Sequence, residues 1–74
     1  MALQAIPISS SLIAAMAYDE ETGELHITFK SNGARWVYGN EQQPVPPEEV
    51  DAIASGGGSY FLSSVKGNYP ERRA

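Results

Sequence analysis

Residues 25–38 carry the clearest alternation of hydrophobic and polar positions in the chain. Three apolar residues alternate with three polar ones, namely Leu25, Ile27 and Phe29 with His26, Thr28 and Lys30. This period of two is typical of a half-buried β-strand. Asn32-Gly33 then favours a two-residue turn, because a type I′ turn needs positive φ at both central positions. The pattern therefore predicts a β-hairpin.

A two-residue turn at this point predicts a definite register for the hairpin. Phe29 faces Trp36, and Ile27 faces Tyr38. One sheet face is then apolar, made of Leu25, Ile27, Phe29, Trp36 and Tyr38. The other face has Lys30 opposite Arg35, a pair of like charges that favours a nearby anionic group. If the Trp36 ring is buried, Trp36→Ala is expected to cost about 3–5 kcal/mol.

A further strand is predicted over residues 12–18, after a loose lead-in at residues 1–7. The segment from Asp19 to Gly23 favours a tight connection with its glycine in the left-handed region. That connection places Tyr18 near Leu25 and Met16 near Ile27. Two faces are expected on this strand: Leu12, Met16 and Tyr18 on one, and Ile13, Ala15 and Ala17 on the other.

The C-terminal half predicts two short helices. Residues 47–54 begin with Pro47 and two glutamates, which suit the first helical turn, and their apolar residues at helical spacing should face the sheet: Val50, Ile53 and Ala54. Ser59 is the predicted N-cap of a second helix at 60–66, which Gly67 ends. Residues 68–74 are predicted as a tail. The expected fold is α+β, a three-stranded antiparallel β-meander with two short helices packed on one face.

Composition limits the chain to one small domain, residues 1–74, whose core is expected to bury only about 60–65% of the unfolded surface. The stability of so small a domain is low, which favours a symmetric homodimer. A second apolar face could form the contact, and it consists of Ile13, Ala15, Ala17 and Val37. No stretch is long enough to span a membrane. Secretory and transit peptides require basic residues, but no Lys or Arg precedes residue 30. We therefore expect a cytoplasmic protein.

Catalytic and metal chemistry are poorly supported by the residue inventory. His26 is the only histidine and lies mid-strand on the predicted outward face, and there is no cysteine. The serines lack a nucleophile-elbow pattern. The acidic residues from Asp19 to Glu24 lack the ligand spacing of a calcium loop and fit a solvated turn. We therefore expect no enzyme, no metal and no cofactor.

Two features point instead to an anionic ligand. The segment Ser55–Ser59 is glycine-rich and opens a predicted helix, so its backbone N–H groups could face a phosphate, although no Walker lysine follows. Three of the five basic residues lie in the last nine positions, near Tyr60, Phe61 and Tyr69. A flexible helix connection and a solubilising tail are the structural alternatives. The candidate site is Trp36, Tyr38, Gly56, Gly57, Gly58, Ser59, Tyr60, Lys66, Arg72 and Arg73.

An ordered set of short motifs across residues 9–69 resembles the KTSC domain family. The set comprises Ser10-Ser11, Ala17-Tyr18-Asp19, Gly23 to Phe29, Trp36-Val37-Tyr38, Val45-Pro46, Ser55-Gly56, Tyr60-Phe61 and Lys66. The central aromatic pair stands where the family has Tyr-x-Tyr. Members occur at the C-terminus of some lysyl-tRNA synthetases and as free-standing proteins of bacteria and phages. Residues 39–44 form a longer link than is usual in the family. If this loop borders a ligand site, the ligand is expected to differ from that of other family members.

The resemblance implies a small non-enzymatic binding module, for which RNA binding has been suggested from the synthetase context. The net charge of −4 argues against loose binding to a polyanion, because such binding needs many Lys and Arg contacts. A nucleotide or short nucleic acid needs only a local basic patch, so this is the expected partner. Occurrence in phages gives the alternative: an interaction module that blocks a host protein, or sequesters a signalling nucleotide, in the host cytoplasm.

Overall fold

The computed structural model describes residues 3–74, which form an antiparallel sheet covered on one face by a helix. In chain order the elements are β1 (Leu3–Ile6), β2 (Ile13–Asp19), β3 (Glu24–Phe29), β4 (Arg35–Tyr38), α1 (Pro47–Ser64) and β5 (Glu71–Arg73). The strands follow one another across the sheet in the order β1-β2-β3-β4-β5. The predicted α+β class is confirmed, but within residues 3–74 the meander has five strands rather than three, and one helical element stands in place of two.

The two additional strands lie at the edges of the sheet, where a lead-in and a tail were predicted. β1 pairs with β2 from Leu3↔Asp19 to Ile6↔Met16. β5 pairs with β4 although all three of its residues are charged and exposed. Both strands are held by main-chain hydrogen bonds to a neighbour, and such bonds leave no trace in the hydrophobic pattern. Edge strands of this kind are therefore hard to predict from periodicity.

Both central hairpins use a four-residue loop that ends in a glycine. In the β2–β3 loop the N–H of Gly23 donates to the carbonyl of Asp19 over 2.8 Å, and in the β3–β4 loop Gly33 donates to Phe29 over 3.0 Å. The two glycines have φ of 75° and 69°. The left-handed Gly23 is thus confirmed. The two-residue turn at Asn32-Gly33 is wrong, because the loop includes Lys30 and Ser31 and closes at the Phe29–Ala34 pair.

This longer loop shifts the register of the β3–β4 hairpin. Ile27 pairs with Trp36, and Leu25 pairs with Tyr38. The predicted Phe29–Trp36 and Ile27–Tyr38 pairs are wrong by two residues, a shift that preserves the face of every side chain. Lys30 lies in the loop, and Arg35 pairs with Thr28 instead. Trp36 is only half-buried, so the cost expected for a buried ring at this position does not apply.

The β2–β3 register agrees with the prediction, and Tyr18 pairs with Leu25 and Met16 with Ile27. An irregularity between Ile13 and Ala15 interrupts the alternation in β2. A bulge of this kind adds a residue to one strand and reverses the faces beyond it. Ile13 therefore lies in the core, where it is 1% exposed, rather than beside Ala15 on the uncovered face. The predicted second apolar face loses its largest member.

The helical element α1 is bent at Gly57, whose backbone has φ 72° and ψ −159°. The hydroxyl of Tyr60 donates to the carboxylate of Glu49, eleven residues earlier. In a straight helix these positions would be separated by about 16 Å along the axis, too far for this contact. The predicted interruption in the glycine segment therefore appears as a bend within one element. Among residues 3–74 no helix is long and apolar enough to cross a membrane.

The core lies between α1 and the inner face of the sheet, the face that α1 covers. Val50 and Ile53 of α1 are buried in it, as predicted. Phe61 is completely buried and packs edge-on against Tyr38, with ring centroids 5.0 Å apart, and against Phe29 at 5.9 Å. The whole buried cluster comprises Ile13, Met16, Leu25, Ile27, Tyr38, Val45, Val50, Ile53, Phe61 and Val65.

Tyr38 is expected to make the protein less stable at alkaline pH. Burial, with a smaller contribution from Glu71, raises the pKa of Tyr38 from 10.0 to about 12. The folded protein then holds a proton that the unfolded chain releases, so this contribution is intact below pH 10 and is lost as pH rises towards 12. We expect the urea midpoint of the wild type to fall over this interval.

The matched control for this pH dependence is Tyr38→Phe, which keeps the ring and removes the titrating group. Burial also raises the pKa values of Tyr18 and Tyr69, so the variant should retain part of the alkaline loss. Urea unfolding monitored by circular dichroism at pH 8 to 12 measures the difference between the two proteins. Parallel pH profiles for wild type and variant would contradict the role given to Tyr38.

Candidate functional site

An arginine lies over a tryptophan ring at the β5 edge of the sheet. Trp36 of β4 pairs directly with Arg73 of β5, so both side chains lie on the inner face. The Arg73 guanidinium carbon is 5.7 Å from the centroid of the Trp36 ring, within the range of a cation–π interaction. Trp36 packs partly against the core, whereas Arg73 is exposed. We call this pair the Trp36–Arg73 surface.

Strand alternation places Arg72 on the opposite, outer face of the sheet. Arg72 pairs with Val37, and its Nη2 atom donates to Oε2 of Glu24 over 2.8 Å. The same carboxylate lies 3.8 Å from Nε2 of His26. The two tail arginines were predicted to act at one site, but β5 directs them to opposite faces, and Arg72 is already paired with a carboxylate.

The remaining predicted aromatic residues offer little free surface. Tyr38 is 1% exposed, so neither face of its ring is open to a ligand. Tyr60 is half-buried, and its hydroxyl donates to Glu49. That hydrogen bond is the main cause that raises the pKa of Tyr60. Of the predicted stacking residues, Trp36 is the one that the structure combines with a basic group.

One glycine of the predicted phosphate-binding segment, Gly58, packs against another part of the chain. A Cβ at Gly58 would lie 2.8 Å from Cβ of Leu12 and 3.1 Å from Oγ of Ser10, so the backbone of α1 lies directly against that segment. Gly58 is buried, and Gly57 provides the bend. Gly56 and Ser59 are exposed. The predicted phosphate loop is thus closed at Gly58 by Leu12, which is distant in sequence.

Lys66 follows the end of α1 and is exposed. Its main-chain N–H donates to the carbonyl of Phe61 over 3.0 Å. Within residues 3–74 its side chain forms no hydrogen bond or ion pair. The structure therefore leaves Lys66 as a free surface cation, and it does not join it to the glycine segment.

A hollow on the surface of the described chain was not predicted. It measures about 610 Å³ and lies between the β2–β3 loop and residues 44–47. Three of its lining residues are Glu20, Glu21 and Glu41, which disfavour a phosphate. No sequence pattern could have indicated it, because its walls come from two loops that meet only in the fold. Within residues 3–74 no group of three or more His, Asp or Glu side chains could hold a metal ion.

The sheet, the bent helix and the edge stack define a small α+β domain. The family model of the KTSC domain matches residues 9–69, and the chain belongs to the KTSC domain family. The crystal structure of a KTSC domain protein from Yersinia pestis is similar, with 29% sequence identity, 99% of each chain covered and a TM-score of 0.81. The resemblance inferred from the ordered motifs is confirmed. No functionally curated protein matches the chain.

Proposed function

We propose that this protein is a non-enzymatic module that binds a nucleotide or a short nucleic acid at the Trp36–Arg73 surface. The observation that carries the proposal is the Arg73 guanidinium lying over the half-buried Trp36 ring. Bases in unpaired nucleic acids are commonly bound by stacking on aromatic rings or on arginine planes. A base stacked on the free side of Arg73 would form a third layer above the indole.

The chemistry of arginine supports this arrangement. A guanidinium that stacks through its face keeps its N–H donors in the plane, where they reach phosphate oxygens or base edges. No ion pair joins Arg73 to a carboxylate in the part of the chain that the structure describes, in contrast to Arg72. Arg73 therefore enters a complex without first losing a protein partner.

The charge of the protein favours a short ligand over a long polyanion. The net charge is −4, so an extended phosphate backbone would meet net repulsion from the protein. Only one or two phosphates would be neutralised. We therefore expect the logarithm of the binding constant to fall with the logarithm of salt concentration with a slope of about −1.

Calorimetric titration of the full chain with the four nucleoside monophosphates and a short single-stranded RNA tests the proposal. Arg73→Gln should weaken binding by about 1–3 kcal/mol, because the stack and its charge-assisted hydrogen bonds are lost. Arg72→Gln is the matched control. It removes the same charge from the adjacent position but on the outer face, so it should bind like the wild type.

Three results would contradict this proposal. The first is that no ligand of the panel binds the wild-type protein. The second is that the two arginine variants bind equally well, because the proposed site requires the inner face. The third is a fall in melting temperature for Arg73→Gln that fully accounts for its lost binding. Thermal unfolding of each variant without ligand provides that comparison.

The second candidate function is protein binding, and the uncovered outer face of the sheet favours it. A hollow of about 180 Å³ there is lined by small apolar and polar residues, among them Ala5, Ala17, His26 and Arg35. A protein partner would be retained in a pull-down after nuclease treatment and in the presence of excess nucleotide. Such retention, together with no detectable binding of any nucleotide in the calorimetric titrations, would favour protein binding over nucleotide binding.

A further inference from the structure

The two edge strands of the sheet have opposite chemical character. β5 consists of three consecutive charged residues, whereas β1, with the sequence Leu-Gln-Ala-Ile, has no charge and no proline. Its pairing with β2 runs through four consecutive residues without a bulge. Charges, prolines and bulges are among the devices that keep edge strands from pairing with other chains. β1 has none of them, so its main-chain donors and acceptors form an open edge.

Apolar side chains flank this edge on the outer face of the sheet. Leu3 is 50% exposed, and Ala5, two residues further along, is also exposed. Ala5 pairs with Ala17 of β2, so small apolar residues line this part of the outer face, whereas Leu3 pairs with Asp19. The helix α1 covers the opposite face.

We propose that β1 pairs with β1 of a second copy of this chain, in an antiparallel manner about a two-fold axis. A strand and its own copy are related in this way by symmetry, so the same neutral edge is presented twice. No like charges meet across the junction, whereas the same antiparallel pairing of two β5 edges would set one charged residue of β5 directly opposite its own copy. A domain of this size buries little surface on its own and gains from the added contact.

The geometry of the sheet selects the register of this pairing. A two-fold axis perpendicular to the sheet keeps both outer faces on one side, so residues of the same face must lie opposite each other. With the axis near the middle of β1, it passes either between the two Gln4 residues or between the two Ala5 residues. The second choice sets Leu3 opposite Pro7, which has no N–H to donate. An axis between the two Gln4 residues sets each Leu3 opposite Ala5 of the other copy and avoids this loss. We therefore place the axis at Gln4.

Cysteine cross-linking of the full chain tests the register, because the wild-type protein has no cysteine. Opposed residues in antiparallel strands have Cα atoms about 4.5–5.5 Å apart, within the range that a disulfide bridges. Gln4→Cys is therefore expected to form a covalent dimer on mild oxidation. Ala5→Cys and Gln43→Cys, the latter in an exposed loop, are expected to form no covalent dimer.

Sedimentation equilibrium tests the interface without a cross-link. Leu3→Lys should raise the dissociation constant of the dimer by about tenfold or more, since two lysines would face the junction. Leu62→Lys is the matched control, because Leu62 is also 50% exposed but lies on α1. A wild-type protein that stays at 8.0 kDa at all concentrations would overturn the proposal. So would equal disruption by both lysine variants, or a cross-link at residue 5 or 43 in place of residue 4.

Discussion

Gly23→Ala is expected to lower the free energy of unfolding by about 2–5 kcal/mol. A Cβ at this position would lie 2.2 Å from Cβ of Pro44 and 2.8 Å from its Cα, so relief requires movement of the backbone. Gly23 also has a φ of 75°, a conformation that costs an alanine additional energy. Its carbonyl accepts the N–H of Val45 over 2.9 Å, so the displacement would reach a fully buried residue.

Gly33→Ala is the control that separates these two contributions. Gly33 has a similar φ of 69° at the same position of the next hairpin loop, but an added Cβ would meet no atom within 4 Å. It should therefore lose only the conformational term, about 1–2 kcal/mol. Urea unfolding monitored by circular dichroism measures both variants. Equal losses would show that the close contact between Gly23 and Pro44 has no energetic role.

Phe61→Ala is expected to cost about 3–5 kcal/mol, the range for removing a buried aromatic ring. Phe61 is completely buried and is the residue through which the second half of α1 meets the aromatic rings of the sheet. Its loss would leave a cavity between Tyr38 and Phe29. Against a total stability of about 5–15 kcal/mol for natural domains, this change should remove a large fraction of the free energy of unfolding.

Leu62→Ala, at the next position of α1, is the control for Phe61→Ala. Leu62 is 50% exposed, so its truncation should change the free energy of unfolding by about 0.5 kcal/mol or less. Thermal and urea unfolding at one protein concentration should rank wild type and Leu62→Ala together, well above Phe61→Ala. A Phe61→Ala protein as stable as the wild type would contradict the core described for this fold.

The parts of the fold that could be predicted are those in which side-chain periodicity determines the structure. Alternation over residues 25–29 indicated both the strand and its buried face, and Gly23 identified the preceding connection. The β3–β4 register depended instead on whether the turn included Lys30 and Ser31. Loops of two and of four residues keep the same side chains on the same face, so the hydrophobic pattern does not distinguish them.

The candidate site was predicted in composition but not in arrangement. Basic residues cluster in the tail, yet the separation of Arg72 from Arg73 arises only because residues 71–73 form a strand. That strand is set by main-chain hydrogen bonds, from Gly39 to Pro70 and from Ala74 to Arg35. Gly58 shows the same limit. A glycine needed for packing against Leu12 has the same appearance in a sequence as a glycine needed to admit a ligand.

The two proposals concern opposite edges of one sheet. The Trp36–Arg73 surface lies at the β5 edge, and the proposed self-pairing uses β1 at the other. In a dimer joined through β1 the two binding surfaces would therefore stand at the far ends of a ten-stranded sheet. Leu3→Lys should consequently leave nucleotide binding unchanged, and Arg73→Gln should leave association unchanged.

The measurement that tests the proposed function most directly is the fluorescence of Trp36 during nucleotide titration. Trp36 is the only tryptophan in the chain, so its emission reports on the proposed surface alone. We predict saturable quenching by at least one nucleoside monophosphate, with the dissociation constant found by calorimetry, weakened in Arg73→Gln and unchanged in Arg72→Gln. Binding detected by calorimetry with no change in Trp36 emission would place the ligand elsewhere and contradict the proposed site.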